Sequence, residues 1–277
     1  MSLEGRVADW IDLGRVDYAD ALDLQIKLIE LRKSGEMSDV ILTGEMNPII
    51  SFGRNNANNG FTEDFLENVR KKYGKSDMNA IKKYLHDLKI QFYDSTENTH
   101  MRGGGTAYTG PGQLVVYPIV NHKQITGDDL NVAKYNEIID KIMTEVLQYY
   151  GIPALSVKVS TKLPVNDDER KERKDVWIMK EKPYKIGGKA LRFSGGVASH
   201  GFSIYVTKES INHFNKILVC GYSQDQLGVT SMEHESGIDI DMKKVTAKTL
   251  EVIKEKFNYE NISEVDLKEF IPLEVAV

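Results

Sequence analysis

The chain has 277 residues, of which 41% are hydrophobic and 28% charged, and a formal net charge of −5. That length supports one large globular domain or two small ones, and the composition is ordinary for a soluble cytoplasmic enzyme. The negative balance argues against nucleic acid as the main partner. The apolar runs are too short to span a bilayer, and no charged-then-apolar leader opens the chain, so neither secretion nor a membrane partner is expected.

In chain order, Tyr18 to Leu31 places Ala21, Leu24, Leu28 and Leu31 on one helical face. Asp39 to Thr43 reads as a strand, and Ile49 to Phe52 as a second after the Asn47-Pro48 turn. Asn55 to Gly60 is polar and reads as a loop. A helix is predicted over Met78 to Leu88, where Ile81, Tyr84, Leu85 and Leu88 align. Gln113 to Val120 is strand-like, with Pro118 favouring an edge position or a bend. The clearest helix is Val132 to Tyr150, with Gly151 and Pro153 as its stop. Asp175 to Met179, Tyr184 to Phe193 and Gly201 to Val206 read as strands, and Thr246 to Phe257 as a last helix. Strands interleaved with helices, with hairpin-like neighbours, indicate an α+β (mixed α/β) fold. Without an internal repeat or a linker-like tract, residues 1–277 read as a single domain with a short C-terminal helical extension from about residue 245.

Charge is uneven along the chain. Lys158 to Arg192 carries eleven Lys and Arg against six Asp and Glu, so the remainder holds about −10. Such a strip suits an acidic protein partner, and it equally suits a solvated loop. The single cysteine, Cys220, excludes an internal disulfide, and with no Cys or His cluster beside it argues against a structural zinc.

Three segments carry chemistry. Arg102-Gly103-Gly104-Gly105-Thr106-Ala107-Tyr108-Thr109-Gly110-Pro111-Gly112-Gln113 packs five glycines and a proline ahead of the strand Leu114 to Pro118. Such density requires unusual backbone angles or close backbone approach. Alone it fits a tight hairpin or a loop whose N–H groups face a ligand. It lacks the Lys-Ser/Thr of a phosphate-binding loop, and its strand follows the glycines instead of preceding them. Lys185-Ile186-Gly187-Gly188-Lys189-Ala190-Leu191-Arg192 sets a lysine at the start of an apolar strand with two glycines behind it. That lysine is either a surface residue at a strand end or an ammonium on a cleft floor. Ile217-Leu218-Val219-Cys220-Gly221 ends an apolar run on the only thiol, followed by a glycine that leaves room beside sulfur. A thiol becomes a good nucleophile when a nearby cation stabilises its thiolate. Lys185 is the candidate cation.

Together these segments resemble the lipoyl(octanoyl) transferase family. Arg102 to Pro118 is similar to the family's arginine-glycine-rich segment leading into Tyr-X-Gly-Pro-Gly-Gln-Leu and Tyr-Pro. Lys185 to Arg192 resembles its Lys-Ile strand, His200-Gly201-Phe202 its His-Gly strand, and Cys220-Gly221 with Val229-Thr230-Ser231 its Cys-Gly and Val-Thr-Ser segments. Pro48 to Arg54 resembles its Pro-X-X-X-X-Gly-Arg stretch. The order holds over roughly residues 40 to 235.

The resemblance implies the catalytic-domain fold of biotin and lipoate protein ligases, a sheet flanked by helices. It implies Cys220 and Lys185 as the catalytic pair, and an acyl pocket lined by Arg102, Gly103, Gly104, Gly105, Thr106, Tyr108, Gly110, Gly112, Gln113, Gly187, Gly188, Ala190, His200 and Gly201. It further implies octanoyl transfer from acyl carrier protein, through a cysteine thioester, to a lysine of lipoyl domains of 2-oxoacid dehydrogenase complexes or of the glycine cleavage H protein. No metal, nucleotide or other cofactor is required. Thr109 stands where the family usually has histidine and cannot titrate in its place. Residues 55–89, 95–100 and 167–184 read as longer than typical for the family. The Lys185 to Ala190 segment also looks like the Lys-X-Ser/Gly-Gly-X-Ala run of ATP-dependent lipoate and biotin ligases. The Gly110 to Gln113 run and Cys220-Gly221 fit the transferase better. A non-enzymatic acyl-binding or lipoyl-domain-binding protein is the third reading, and it leaves the Cys220 and Lys185 combination without a use.

Overall fold

A computed structural model describes residues 6–53, 60–94, 102–127, 131–159, 173–219 and 225–270. Its largest sheet is built from β1 (Arg6–Val16), β2 (Asp39–Met46), β6 (Gln113–Asn121), β10 (Gly187–Lys189), β13 (Phe202–Tyr205) and β15 (Tyr259–Glu264), in the order β10-β13-β6-β2-β1-β15. The hairpin of β11 (Arg192–Ser194) and β12 (Val197–Ser199) joins the same sheet through β6. β1 runs parallel to both β2 and β15, while β2, β6, β13 and β10 are successively antiparallel.

Two smaller sheets complete the fold. One holds β14 (Gly228–Val229), β9 (Pro183–Lys185), β8 (Arg173–Met179) and β7 (Leu155–Val159) in that order; the other holds β4 (Gln91–Asp94), β3 (Ile49–Phe52) and β5 (Ala107–Thr109).

The helices cover these sheets in three layers. α5 (Val132–Tyr149) and α7 (Met242–Lys256) pack on one face of the main sheet, where Tyr135, Ile139, Met143, Val252 and Phe257 join Val116 and Ile204 in a buried cluster. α1 (Tyr18–Ser34) covers the opposite face with Ala21, Leu22, Leu28 and Ile29, against Leu42 and Ile119. α2 (Glu63–Tyr73) and α3 (Met78–Asp87) close over the three-stranded sheet through Phe65, Val69, Ile81 and Leu85. Both carry side-chain N-caps, Thr62 and Asp77, which satisfy backbone N–H groups three residues on. No helix among the described residues is long and apolar enough to cross a membrane.

The observed fold is mixed α/β, as the alternation of strand and helix patterns implies. The predicted helices at 18–31, 78–88, 132–150 and 246–257 appear as α1, α3, α5 and α7, each displaced by only a few residues at its ends. Two expectations change. Pro118 lies in β6, an interior strand opposite Ile41 of β2, and not on an edge. A strand interior tolerates it because β13 pairs with β6 at residues 113–116 and β12 at 120–121, so the missing N–H falls between the two. The predicted strand Tyr184 to Phe193 is divided into β9, β10 and β11, which belong to different pairings. From about residue 245 the chain contributes α7 to the main core, and α7 is followed by edge strand β15. Most of the predicted loop from Asn55 to Gly60 lies outside the described residues.

Candidate active site

Lys185 ends β9 directly opposite Trp177 of β8. Asp175 precedes Trp177 by two residues, so the strand period puts both on the face that Lys185 meets. The Lys185 ammonium donates to Asp175 Oδ2 and lies 5.8 Å from the Trp177 ring centre. The two charged side chains retain only 12% and 10% of their exposure. Asp175 Oδ1 accepts the backbone N–H of Val176 at 3.3 Å, which fixes the carboxylate on its strand.

Immediately after Lys185 the chain crosses from the small sheet to the main one. Ile186 is the pivot: its N–H donates to Val176 C=O in β8 at 3.3 Å, and its C=O accepts Tyr205 N–H from β13 at 3.0 Å. Gly187 passes so close to β13 that a side-chain Cβ there would lie 2.7 Å from Ser203 O and 2.6 Å from Met143 Cε. A Cβ on Gly188 would sit 3.4–3.5 Å from Lys185 Cε and Nζ, filling the space next to the ammonium. Lys185, Gly188, Lys189 and Ala190 thereby form one wall of a cleft of about 100 Å³. Lys189 is itself ion-paired with Asp140 of α5, the two side chains being 9% and 3% exposed.

The glycine-rich segment supplies the facing wall. Arg102 is buried, donating from Nε to Ser51 Oγ at 3.1 Å, from Nη2 to Ser51 O at 2.6 Å and from Nη1 to Gly103 O at 2.9 Å. Burial holds its guanidinium below the usual arginine range, and the nearby Tyr18 and Tyr117 hydroxyls oppose that shift. Tyr108 presents its ring edge-on to His213 and Phe214, and burial pushes its phenol well above the usual tyrosine value. Tyr117 is also held above that value by burial, and it meets His200 ring to ring at 6.4 Å. Thr109, standing where the resembled family has histidine, lines the cleft as well.

His200 and Gly201 form the corner between β12 and β13. His200 adopts φ +55°, with its N–H donated to Gln25 Oε1 of α1 at 3.1 Å. Gly201 has φ +137°, and a Cβ there would fall 2.2 Å from Val116 O and 2.8 Å from Pro118 Cδ. Only glycine fits this backbone.

Of the residues singled out in the sequence, Arg102, Tyr108, Lys185, Gly188, Ala190, His200 and Gly201 line this one cleft. The others stand around it. Gly103 rests against Leu191 O, Gly104 O lies over Gly53, Gly105 C=O accepts Gly53 N–H at 3.1 Å, and Thr106 covers Gly60. Gly110 leaves space for the Tyr108 hydroxyl, and Gly187 packs on Met143 beneath the wall. Gly112 and Gln113 brace the turn after β13. Gly112 N–H donates to Glu45 Oε2 at 2.8 Å, its C=O accepts Val206 N–H at 2.9 Å, and Gln113 Nε2 donates to Ser210 O at 3.0 Å. Cys220 and Gly221 lie outside the described residues. Their flanks are described. Val219 is buried in the cluster that holds Tyr108 and Tyr205, and Gly228–Val229 pairs in parallel with Tyr184–Lys185.

Sequence reasoning missed Tyr18, Val115, Tyr117, Lys189, Phe202, Ser203 and Tyr205 in the lining, and Asp175 behind it. Val115 and Tyr117 were legible as alternate positions of one strand face. Tyr18 opens a helix distant in sequence, and nothing local points it at a cleft.

The sequence model of the lipoyl protein ligase A/B catalytic domain matches residues 17–254. The chain belongs to this family. It is an acyltransferase, and similar proteins include the octanoyltransferase of Alkaliphilus metalliredigens, 30% identical over 92% of this chain and 98% of that one. The octanoyltransferase of Koribacter versatilis is 29% identical over 85% and 78% of the two chains. Among solved structures, the putative lipoate protein ligase Ta0514 of T. acidophilum, with bound lipoic acid, superposes with a TM-score of 0.58 at 14% identity, covering 96% of this chain and 90% of that one. A lipoate-protein ligase A bound with ATP gives 0.57 at 14% identity over 96% and 90%. The lipoate-ligase fold is thus shared across the lipoyl protein ligase A/B family and this chain.

Proposed function

We propose that this protein transfers an octanoyl group from a carrier-protein thioester, by way of Cys220, to a lysine of a lipoyl domain. The observation that carries this reading is the attachment of both flanks of residues 220–224 to the cleft that holds Lys185. Val219 shares a buried cluster with Tyr108 and Tyr205, and Val229 pairs with Lys185 itself. The curated relatives named octanoyltransferase support the acyl group; the acyl carrier and the lipoyl acceptor follow from the family resemblance.

Two half-reactions balance. The Cys220 thiolate attacks the donor thioester carbonyl, forming a new C–S bond as the carrier sulfur leaves with a proton from the Lys185 ammonium. The acceptor lysine amine then attacks the acyl-cysteine, forming the amide C–N bond, breaking the C–S bond and giving its proton back to Lys185. The product is the octanoyl amide, and the thiolate and ammonium are regenerated. Exchange between thioesters starts near energetic balance, so the covalent step needs positioning more than driving force.

The test uses the chain's only thiol. Incubation with octanoyl-carrier protein and no acceptor should add one octanoyl mass on Cys220, and Cys220→Ser should abolish transfer. Full activity of Cys220→Ser, or transfer that requires ATP and free octanoate, would refute the proposal and favour the ligase reading.

A further inference from the structure

We infer that the groove formed by α2 and α3 is the docking face for the acyl donor, which is recognised there through an acidic protein surface. This rests on the donor being a carrier protein, as proposed above. Residues 70–89 hold seven Lys and Arg against two Asp, an excess of five positive charges on a chain whose net charge is −5, so the stretch is a basic island on an acidic protein. All seven cationic residues are exposed. In the other basic stretch, Lys158 to Arg192, Lys185 and Lys189 instead turn inward onto Asp175 and Asp140. Six of the seven cations of the island are lysines, whose ammonium groups act as point donors to single carboxylates, where an arginine-rich face would favour the bidentate recognition of phosphate.

Helix spacing builds the groove. In α3, Ile81 and Leu85 are buried, which leaves Asn79, Lys82 and Lys83, at i, i+3 and i+4, on the outward face. Lys75, just past the end of α2, joins them, and the three lysines with Tyr73, Asn79 and Ala80 line a groove of about 500 Å³. Contacts between the two helices fix its shape. Tyr73 Oη and Lys72 Nζ both donate to Asp87, the latter at 2.6 Å, and the Tyr73 and Tyr84 rings meet edge to face at 6.5 Å. Arg70, Lys71, Lys72 and Lys75 pair with Glu63, Glu67, Asp87 and Asp77. Lys82 and Lys83 stand outside these pairs, and the Lys75–Asp77 contact joins two exposed side chains, so a carboxylate arriving from a partner replaces Asp77 there at little cost. The groove belongs to the layer that walls the cleft: Phe65 and Val69 of α2 and Ile81 and Leu85 of α3 share one buried cluster with Tyr108 and Tyr205, both of which line it. A carrier presents its acyl group on a thioester arm, so its body docks beside the cleft and leaves the cleft to the acyl chain.

The experiment compares the wild-type protein with a triple variant, Lys75→Glu, Lys82→Glu and Lys83→Glu, and with the charge-keeping triple Lys75→Arg, Lys82→Arg and Lys83→Arg. Steady-state transfer is read with octanoyl-carrier protein and a lipoyl-domain acceptor, and carrier binding is read directly by fluorescence anisotropy. Charge reversal should raise KM for the carrier roughly 10-fold or more, with kcat and KM for the acceptor unchanged. The arginine triple should stay within about 2-fold of the wild type, since it keeps the positive field. Carrier affinity of the wild type should weaken steeply with added salt, and that of the glutamate triple should not. An unchanged KM for the carrier in the glutamate triple would overturn the inference. So would a rise in the acceptor's KM in its place, because the groove would then receive the acceptor, or an equal loss in the arginine triple, because shape and not charge would then be at work. A wild-type protein that fails to transfer from octanoyl-carrier protein would instead overturn the function on which the inference rests, and that rate is measured first.

Discussion

The Lys189–Asp140 pair offers a sharp energetic test of how the cleft wall is held. The two side chains are 9% and 3% exposed, and Asp140 sits on α5 among Ile139, Ile142 and Met143. Replacing Asp140 with alanine strands an ammonium in an apolar layer, a change that costs about 3–5 kcal/mol where a buried pair loses one partner. For a chain of this size that corresponds to a fall in Tm of roughly 6–20 °C. Removing both charges with Asp140→Leu and Lys189→Met should recover most of the loss, because a buried pair replaced by apolar groups of similar volume is often neutral or stabilising. Urea unfolding of the wild type, both single variants and the double variant gives the coupling energy directly. A loss below about 1 kcal/mol in Asp140→Ala would refute the reasoning, since that is the size expected of a solvent-screened surface pair. The double variant has a second use: with stability restored, any remaining loss of transfer belongs to Lys189 as a cleft residue.

Two further outcomes follow from the geometry. Gly201→Ala should destabilise the fold by roughly 2–5 kcal/mol, combining backbone strain at φ +137° with a Cβ pressed against Val116 O of an interior strand, and thermal unfolding measures it. His213 is held below its ordinary value of 6.5, first by burial and then by the Lys216 charge 3.1 Å from Nδ1. The unfolded chain therefore takes up this proton more readily than the folded one. The contribution of His213 is fully present above pH 6.5 and is lost as pH falls from there through its lower folded-state value. Urea midpoints of the wild type should thus drop faster below pH 6.5 than those of His213→Gln, and parallel curves would contradict the assignment.

The sequence showed what local periodicity controls. Helices α1, α3, α5 and α7 announce themselves by apolar residues at helical spacing, and β3 by its bounding turn signals. The division of Tyr184 to Phe193 was invisible because it depends on partners far away in sequence: Val176 on one side of Ile186 and Tyr205 on the other. Pro118 misled for the same reason, since its tolerance comes from a gap between β12 and β13. β1 carries alternating charges and apolar residues that blur its period, and only its pairing with β2 and β15 reveals it. In the site, the glycine-rich segment, Lys185 and His200 were found through order and motif. Asp175 was not, because an aspartate in a basic strip reads as one charge among many until the hairpin folds it onto Lys185.

On the proposed function, the distribution of charge around the cleft would let one site suit both an apolar chain and an anionic sulfur. Among the described residues, three cationic side chains line it, Arg102, Lys185 and Lys189. Each lysine head is drawn aside by a carboxylate from a different element, Asp175 on β8 and Asp140 on α5, while its aliphatic stem remains along the wall. Among the described residues, Arg102 is bound through Ser51 and Gly103, so its guanidinium faces a hydroxyl and carbonyl dipoles. A cleft with three uncompensated cations would attract small anions and resist an alkyl chain. With both lysines paired, the surface offered to an acyl group consists of methylene stems and the rings of Tyr18, Tyr117, Phe202 and Tyr205, and positive charge stays within reach of the reacting end. On the octanoyl reading, the two buried acids are what make the wall compatible with its substrate.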